Sequence, residues 1–247
     1  MNIKHFLDST YLKTAQQVGV SNLEHEKIVS EFIQQAIDEN FKLVMLRPNF
    51  VSLAKKMIHA SNSKVAVGTV ISFPEGTNSI EEKLEEASQA IKNGADDLDF
   101  VCNYNAFKEG NIELVKKEIL ECTRLVLANN KTVKWIIEVA ALNANQIIQI
   151  STLIKNVVIA NFKEESYAAV FVKSSTGFYK TENGLPNGAT IPTIIMMLEN
   201  ASPLLIKAAG GVKTYDEAVA MIQLGVKRIG TSSAKEIVYG EIATNGY

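Results

Sequence analysis

Two lysines in this chain stand where a lysine can do covalent chemistry. The apolar run Tyr167-Ala168-Ala169-Val170-Phe171-Val172 reads as a buried strand that stops at Lys173, and the hydroxyl-rich turn Ser174-Ser175-Thr176-Gly177 follows. A lysine at the end of such a strand has a dry stem and an amine at the rim of whatever the strand supports. Desolvation disfavours its ammonium form and biases it toward the neutral nucleophile. The next strand, Leu204-Leu205-Ile206-Lys207-Ala208-Ala209, carries a second lysine, followed by Gly210-Gly211. One strand-end lysine is an ordinary snorkelling residue. Two on successive strands point to amine chemistry on a carbonyl, and each cation disfavours protonation of the other. Asp99, in the run Asp97–Cys102, could compensate one of them.

The elements that must position these side chains recur regularly. Strands are expected at Ile3–Leu7, Phe41–Leu46, Lys64–Ile71, Asp97–Cys102, Thr132–Val139, the Lys173 run, the Lys207 run and Val226–Gly230. Helical stretches are expected between them, at 21–40, 49–60, 79–93, 112–129, 145–162, 190–201, 214–224 and 234–239, and Ser21-Asn22-Leu23-Glu24 forms a capping box. Apolar runs that do not alternate in polarity belong to strands covered on both faces, hence to a parallel sheet. Eight such β/α units predict an α/β fold of the (β/α)8 TIM-barrel type with an additional N-terminal helix, as one domain over residues 1–247. A doubly wound open sheet is the second choice, but no G-x-G-x-x-G follows the first strand. In a TIM barrel, reactive groups gather at the C-terminal ends of strands, which places Asp8, Asp99, Glu138, Lys173 and Lys207 together. Glu138 reads as a satisfied carboxylate of the barrel core.

Composition sets the outer limits. The 247 residues are 47 % hydrophobic and 21 % charged with a formal net charge of -2, the profile of a soluble globular chain. That charge gives no electrostatic basis for binding nucleic acid or an anionic membrane. No apolar run is long enough to span a bilayer, and charge interrupts the N-terminal segment where a signal peptide would be apolar. Two cysteines, Cys102 and Cys122, imply neither a disulfide framework nor a zinc site, and suit a reducing cytoplasm. His5, His25 and His59 are scattered, without metal-ligand spacing. A homodimer is an allowed assembly that no patch in the sequence specifies.

Two glycine-bearing turns close the chain, Gly210-Gly211 and Gly230-Thr231-Ser232-Ser233. The last two units of a TIM barrel are its usual phosphate site, where glycine lets backbone N–H groups approach an anion and hydroxyls add donors. A phosphate end beside paired lysines implies a small phosphorylated carbonyl substrate attacked by a lysine.

Read together, these segments resemble the deoxyribose-phosphate aldolase family, the class I, Schiff-base aldolases. Leu7-Asp8-Ser9-Thr10-Tyr11-Leu12-Lys13, Val70–Gly76, Gly94-Ala95-Asp96-Asp97-Leu98-Asp99, Phe171–Phe178, Ile206–Val212 and Arg228–Ser233 are similar to motifs of that family along nearly the whole chain. The resemblance implies reversible cleavage of 2-deoxyribose 5-phosphate to glyceraldehyde 3-phosphate and acetaldehyde, without a metal or other cofactor. It implies that Lys173 forms the imine and that Lys207 lowers the Lys173 pKa and relays protons. Asp99 acts with Lys207 on the substrate C3 hydroxyl, Asp8 pairs with Lys207, and Gly177, Gly211, Ser232 and Ser233 lie at the phosphate. Tyr247, at the chain end, corresponds to a C-terminal tyrosine implicated in proton transfer at the enamine carbon. The chain departs from the family pattern at Ser9, Met45, Arg47, Glu75 and Cys102–Asn105, which bears on donor and acceptor specificity. Related Schiff-base aldolases or thiolases, and a non-catalytic phosphosugar-binding barrel, are the alternative readings.

Overall fold

In the computed structural model, residues 2–182 and 184–241 are described. Eight parallel strands close into a barrel in the order β1 to β8. They are β1 Leu7–Tyr11, β2 Leu43–Leu46, β3 Ala66–Ile71, β4 Asp97–Val101, β5 Thr132–Ile136, β6 Val170–Lys173, β7 Leu205–Ala209 and β8 Arg228–Thr231. The helices are α1 Ala15–Val18, α2 Asn22–Asp38, α3 Val51–Ala60, α4 Ile80–Lys92, α5 Tyr104–Lys108, α6 Ile112–Ala128, α7 Ala144–Asn161, α8 Ile191–Ala201, α9 Tyr215–Leu224 and α10 Ala234–Tyr239. The Ser21–Glu24 capping box opens α2, and matching boxes open α4 at Ser79–Glu82 and α9 at Thr214–Glu217. The additional N-terminal helix takes the form of one 3-10 turn, Ile3–Phe6, ahead of β1.

Strand side chains alternate between two interiors. Outward-facing Leu98, Phe100, Val133, Trp135, Val172, Ile206 and Ile229 pack under the helices in one large apolar core. The barrel lumen is divided. Leu43, Met45 and Val70, with Leu12, fill the β2–β3 side with an apolar cluster. The remaining strands turn charged side chains inward, and Asp8, Asp97, Asp99, Lys134, Lys173, Lys207 and Arg228 are all buried there.

Three strands near the site differ from the sequence expectation in ways that move its residues. The first strand runs over Leu7–Tyr11 rather than Ile3–Leu7, so Asp8 lies inside the barrel as the second residue of β1 and not at its end. Polar residues can occupy this strand because ionic partners meet them in the lumen. The fifth strand stops at Ile136 because Glu138 adopts a left-handed conformation at φ 56° and opens a 3-10 turn. The first half of the apolar run before Lys173 belongs to a 3-10 turn, Glu164–Ala169, which leaves β6 only four residues long.

Candidate active site

Strand register sets the lysines side by side. Lys173 of β6 is the direct partner of Lys207 on β7, and Lys207 is the partner of Arg228 on β8. Across the lumen, β4 presents Asp97 and Asp99, two residues apart on the inward face, and Asp99 is the register partner of Lys134 on β5. Asp99 is the hub. Its Oδ2 accepts from Lys173 Nζ at 2.9 Å and from Lys207 Nζ at 2.8 Å, and its Oδ1 accepts from Lys134 Nζ at 2.9 Å. Lys207 Nζ also lies 2.6 Å from Asp8 Oδ2, and Arg228 Nε donates to Asp8 Oδ1 at 2.6 Å. Lys134 and Arg228 both reach Asp97 Oδ2, at 2.6 and 3.1 Å.

Three carboxylates therefore face four cations in the buried lumen. Burial alone would raise the Asp99 carboxyl, but Lys134, Lys173 and Lys207 hold it well below the usual range. Burial acts likewise on Asp8, and Arg228 and then Lys207 keep it ionised. The surplus positive charge falls on Lys173. Burial pushes its amine down, Asp99 opposes that shift, and the charges of Lys207 and Lys134 add to it, leaving a pKa of about 8 against an ordinary 10.5. Lys134, by contrast, is held above its ordinary value: burial opposes this, but Asp97 and Asp99 outweigh it.

Lys173 is also the member of the network that opens to a pocket. A cleft at the C-terminal end of the barrel is lined by Lys173, Gly177, Gly210, Gly211, Gly230 and Ser232, with Thr10, Asn187 and Lys213 among the rest. Gly177, Gly210 and Gly211 all have φ near +80°, a conformation that glycine adopts without strain. Two of the expected phosphate residues, Ser233 and Gly230, are placed differently from the others. Ser233 is buried behind the rim and is not among the lining residues, its N–H bonded to Thr231 Oγ1 at 3.0 Å. Gly230 lies within β8 and makes room: a Cβ there would sit 3.0 Å from Lys207 Cε. Asp8, Asp99 and Lys207 form the sealed floor beneath the cleft rather than strand-end groups at its mouth, because each lies within its strand and has no exposed surface. Tyr247 falls outside the described residues.

At the opposite rim the Arg47 guanidinium lies 4.8 Å over the Phe73 ring and 6.0 Å from that of Phe178, and Nε donates to Leu12 O at 2.8 Å. Met45 is buried in the apolar half of the lumen, and Glu75 is exposed.

The ionic partners Lys134, Asp97 and Arg228, and the rim residue Lys213, went unnoticed in the sequence. Lys134 left a signal: a lysine inside Thr132-Val133-Lys134-Trp135-Ile136 cannot be buried without an acid partner. The two-residue spacing of Asp97 and Asp99 was its counterpart.

A closed parallel barrel holding a low-pKa lysine under a glycine-lined cleft is suited to an enzyme that attacks carbonyls with an amine. The chain belongs to the DeoC/LacD family of aldolases, whose profile matches residues 14–238. A deoxyribose-phosphate aldolase of Thermococcus gammatolerans is 35 % identical over 241 residues, covering 97 % of this chain and 96 % of the relative. Among solved structures, the aldolase QR15 superposes with a TM-score of 0.81 at 29 % identity, over 97 % of this chain and 95 % of that one. The deoxyribose phosphate aldolase of Aeropyrum pernix, described as a tetramer, gives 0.75 at 25 % identity, over 96 % and 89 % of the two chains. No helix among the described residues is long and apolar enough to cross a membrane.

Proposed function

We propose that this chain cleaves 2-deoxy-D-ribose 5-phosphate reversibly to D-glyceraldehyde 3-phosphate and acetaldehyde through an imine on Lys173. The observation that carries this reading is the shared Asp99 oxygen: Lys173 and Lys207 both donate to Oδ2, and of the two only Lys173 reaches the cleft. Family membership and the names of the relatives support the substrate.

The neutral amine of Lys173 attacks C1 of the open-chain sugar, and loss of water gives a protonated imine that withdraws electrons from C2. Removal of the C3 hydroxyl proton breaks the C2–C3 bond. The bonding pair stays with C2 as an enamine, and glyceraldehyde 3-phosphate departs. Protonation of the enamine carbon and hydrolysis then free acetaldehyde and restore the amine. Asp99 and Lys207 are the proposed acid–base pair for the C3 proton, with Asp8 orienting Lys207 and Tyr247 serving the enamine carbon. The substrate phosphate is proposed to sit against Gly177, Gly210, Gly211 and Ser232, with the Lys213 side chain as its cation. The iminium supplies the polarisation that a Lewis acid would otherwise give, so neither metal nor organic cofactor is needed.

The same proposal has residues 1–247 acting as one barrel domain in the cytoplasm, as a homodimer or a larger self-assembly. The test is an aldol-cleavage assay on 2-deoxyribose 5-phosphate in the presence of EDTA, with Lys173→Ala as control. Cleavage by the wild type, unaffected by chelator and lost in the variant, is expected. Absence of cleavage, or cleavage retained by the variant, overturns the reading.

A further inference from the structure

Glu138 stands two residues beyond β5, nearly sealed from solvent, with its carboxyl group against the turn that leaves Lys173. Thr176 donates to Glu138 Oε2 twice, from its backbone N–H at 3.2 Å and from its hydroxyl. Oε1 lies 2.7 Å from Ser175 Oγ. Each contact taken alone fits an ionised carboxylate. Counting the protons on Ser175 shows that they do not fit together. Ser175 Oγ also lies 2.6 Å from the carbonyl oxygen of Asn187, and it accepts the Gly177 N–H at 2.9 Å. A serine hydroxyl has one proton to give, and a carbonyl oxygen has none. If Ser175 donates to Asn187, the contact with an ionised Glu138 is left without a proton. If it turns to Glu138, the contact with Asn187 is left bare. An unbridged pair of buried oxygens at this distance is strongly unfavourable. A proton on Glu138 Oε1 removes the conflict. Oε1–H donates to Ser175, Ser175 donates to Asn187, and Oε2 keeps both bonds from Thr176.

We infer that Glu138 works as a neutral carboxylic acid, a positioning residue whose single proton fixes the Ser175–Gly177 turn and the Asn187 segment on the wall of the Lys173 cleft. This deepens the proposed function and rests on its placement of the reacting lysine. Thr176, Gly177 and Asn187 all line that cleft, so the chain of bonds from Glu138 sets the wall that the substrate meets. Ser175 also backs Gly210, where a Cβ would meet Ser175 Oγ at 3.2 Å.

The groups facing Glu138 are Lys173 from β6, Tyr104 from α5, and Glu75, Tyr179 and Lys180 around an adjoining cleft that Glu138 and Thr176 also line. Burial raises the Glu138 carboxyl above its ordinary value, while the Thr176 and Ser175 hydrogen bonds and the Lys173 charge pull it back. The neutral form also matters for the lysine. An anion here would favour the ammonium form of Lys173 and oppose the loss of its proton, whereas a neutral acid does not. Raising the pH would eventually ionise Glu138, break the link to Ser175 and loosen the turn.

Glutamine reproduces the bonding pattern of the neutral acid, one donor and one acceptor, and cannot ionise. In Glu138→Gln we expect kcat/KM within about threefold of wild type, an unchanged rise of activity through the Lys173 titration, and loss of any decline in activity at high pH. Glu138→Ala, which lacks the donor, should lower kcat. Difference infrared spectroscopy of the wild type against Glu138→Gln should show a protonated-carboxyl band at neutral pH that the variant lacks. A loss of about 10³-fold in Glu138→Gln, or absence of that band, would establish a working carboxylate and overturn the inference. The band requires no turnover, so it decides the state of Glu138 even if the sugar phosphate is not cleaved.

Discussion

Lys83 on α4 and Lys173 on β6 are both buried, and the two amines have opposite surroundings. Lys83 Nζ donates to Gly76 O at 2.7 Å, to Val101 O at 2.8 Å and to Glu118 Oε1. Its three protons have three acceptors, and its charge has one counter-charge. The other Glu118 oxygen is taken by Asn103 N at 3.0 Å and approached by Cys102 Sγ at 3.6 Å. This pair ties the loop after β3 to the end of β4 and has no amine to spare. Lys173 donates to one carboxylate oxygen, shared with Lys207, inside a network with one cation too many. Burial thus does not make a lysine nucleophilic. Surplus charge and an unsaturated ammonium do, and the same burial with matched partners makes a lock.

The same substitution at both sites gives the sharpest contrast. Lys173→Met should abolish cleavage by at least roughly four orders of magnitude while the fold holds, because three carboxylates then face three cations. Lys83→Met should do the reverse. It leaves the buried Glu118 carboxyl without its counter-charge, which costs about 3–5 kcal/mol of stability, read as a lowered denaturation midpoint, while the protein that remains folded keeps its chemistry. A Lys173→Met protein that unfolds, or a Lys83→Met protein of normal stability, would erase the distinction.

Smaller effects test the origin of the surplus. Lys173 loses its proton through pH about 8, so activity limited by the free amine should rise about tenfold per unit below that value and level off above it. The sign for stability is the same. The unfolded amine binds its proton more tightly than the folded one, so between about 8 and 10.5 this group makes the folded state more stable as pH rises. Lys207→Met removes a repelling neighbour and frees Asp99 for Lys173, so the activity midpoint should move up by on the order of one unit. A downward shift would mean that Lys207 acts otherwise. Gly230→Ala sets a methyl group 3.0 Å from Lys207 Cε and should cost roughly tenfold in kcat through displacement of that side chain, with little change in KM.

The barrel was legible in the sequence because seven non-alternating apolar runs and a short first stretch, each followed by a helix, admit few other folds. Lys173 and Lys207 were legible because a lysine interrupts an apolar strand at matching places. The network that tunes them was not. Lys134, Asp97 and Arg228 come from separate strands, and only closure of the barrel brings them to Asp99 and Asp8. Asp8 was found, but its depth was misplaced, since a polar stretch does not look like a strand until its partners are in view. Lys83 and Glu118 stand in Lys/Glu-rich stretches that, from sequence alone, look like a solvated helix face. Helical periodicity alone does not reveal that the end of β4 and the loop at Gly76 seal one edge of that face.

Borohydride trapping tests the central claim most directly. Reduction in the presence of 2-deoxyribose 5-phosphate or acetaldehyde, followed by peptide mass mapping, should fix one substrate-derived adduct on Lys173, with Lys83, Lys134 and Lys207 unmodified. Failure to trap an adduct, or an adduct on any of the other three buried lysines, would contradict it.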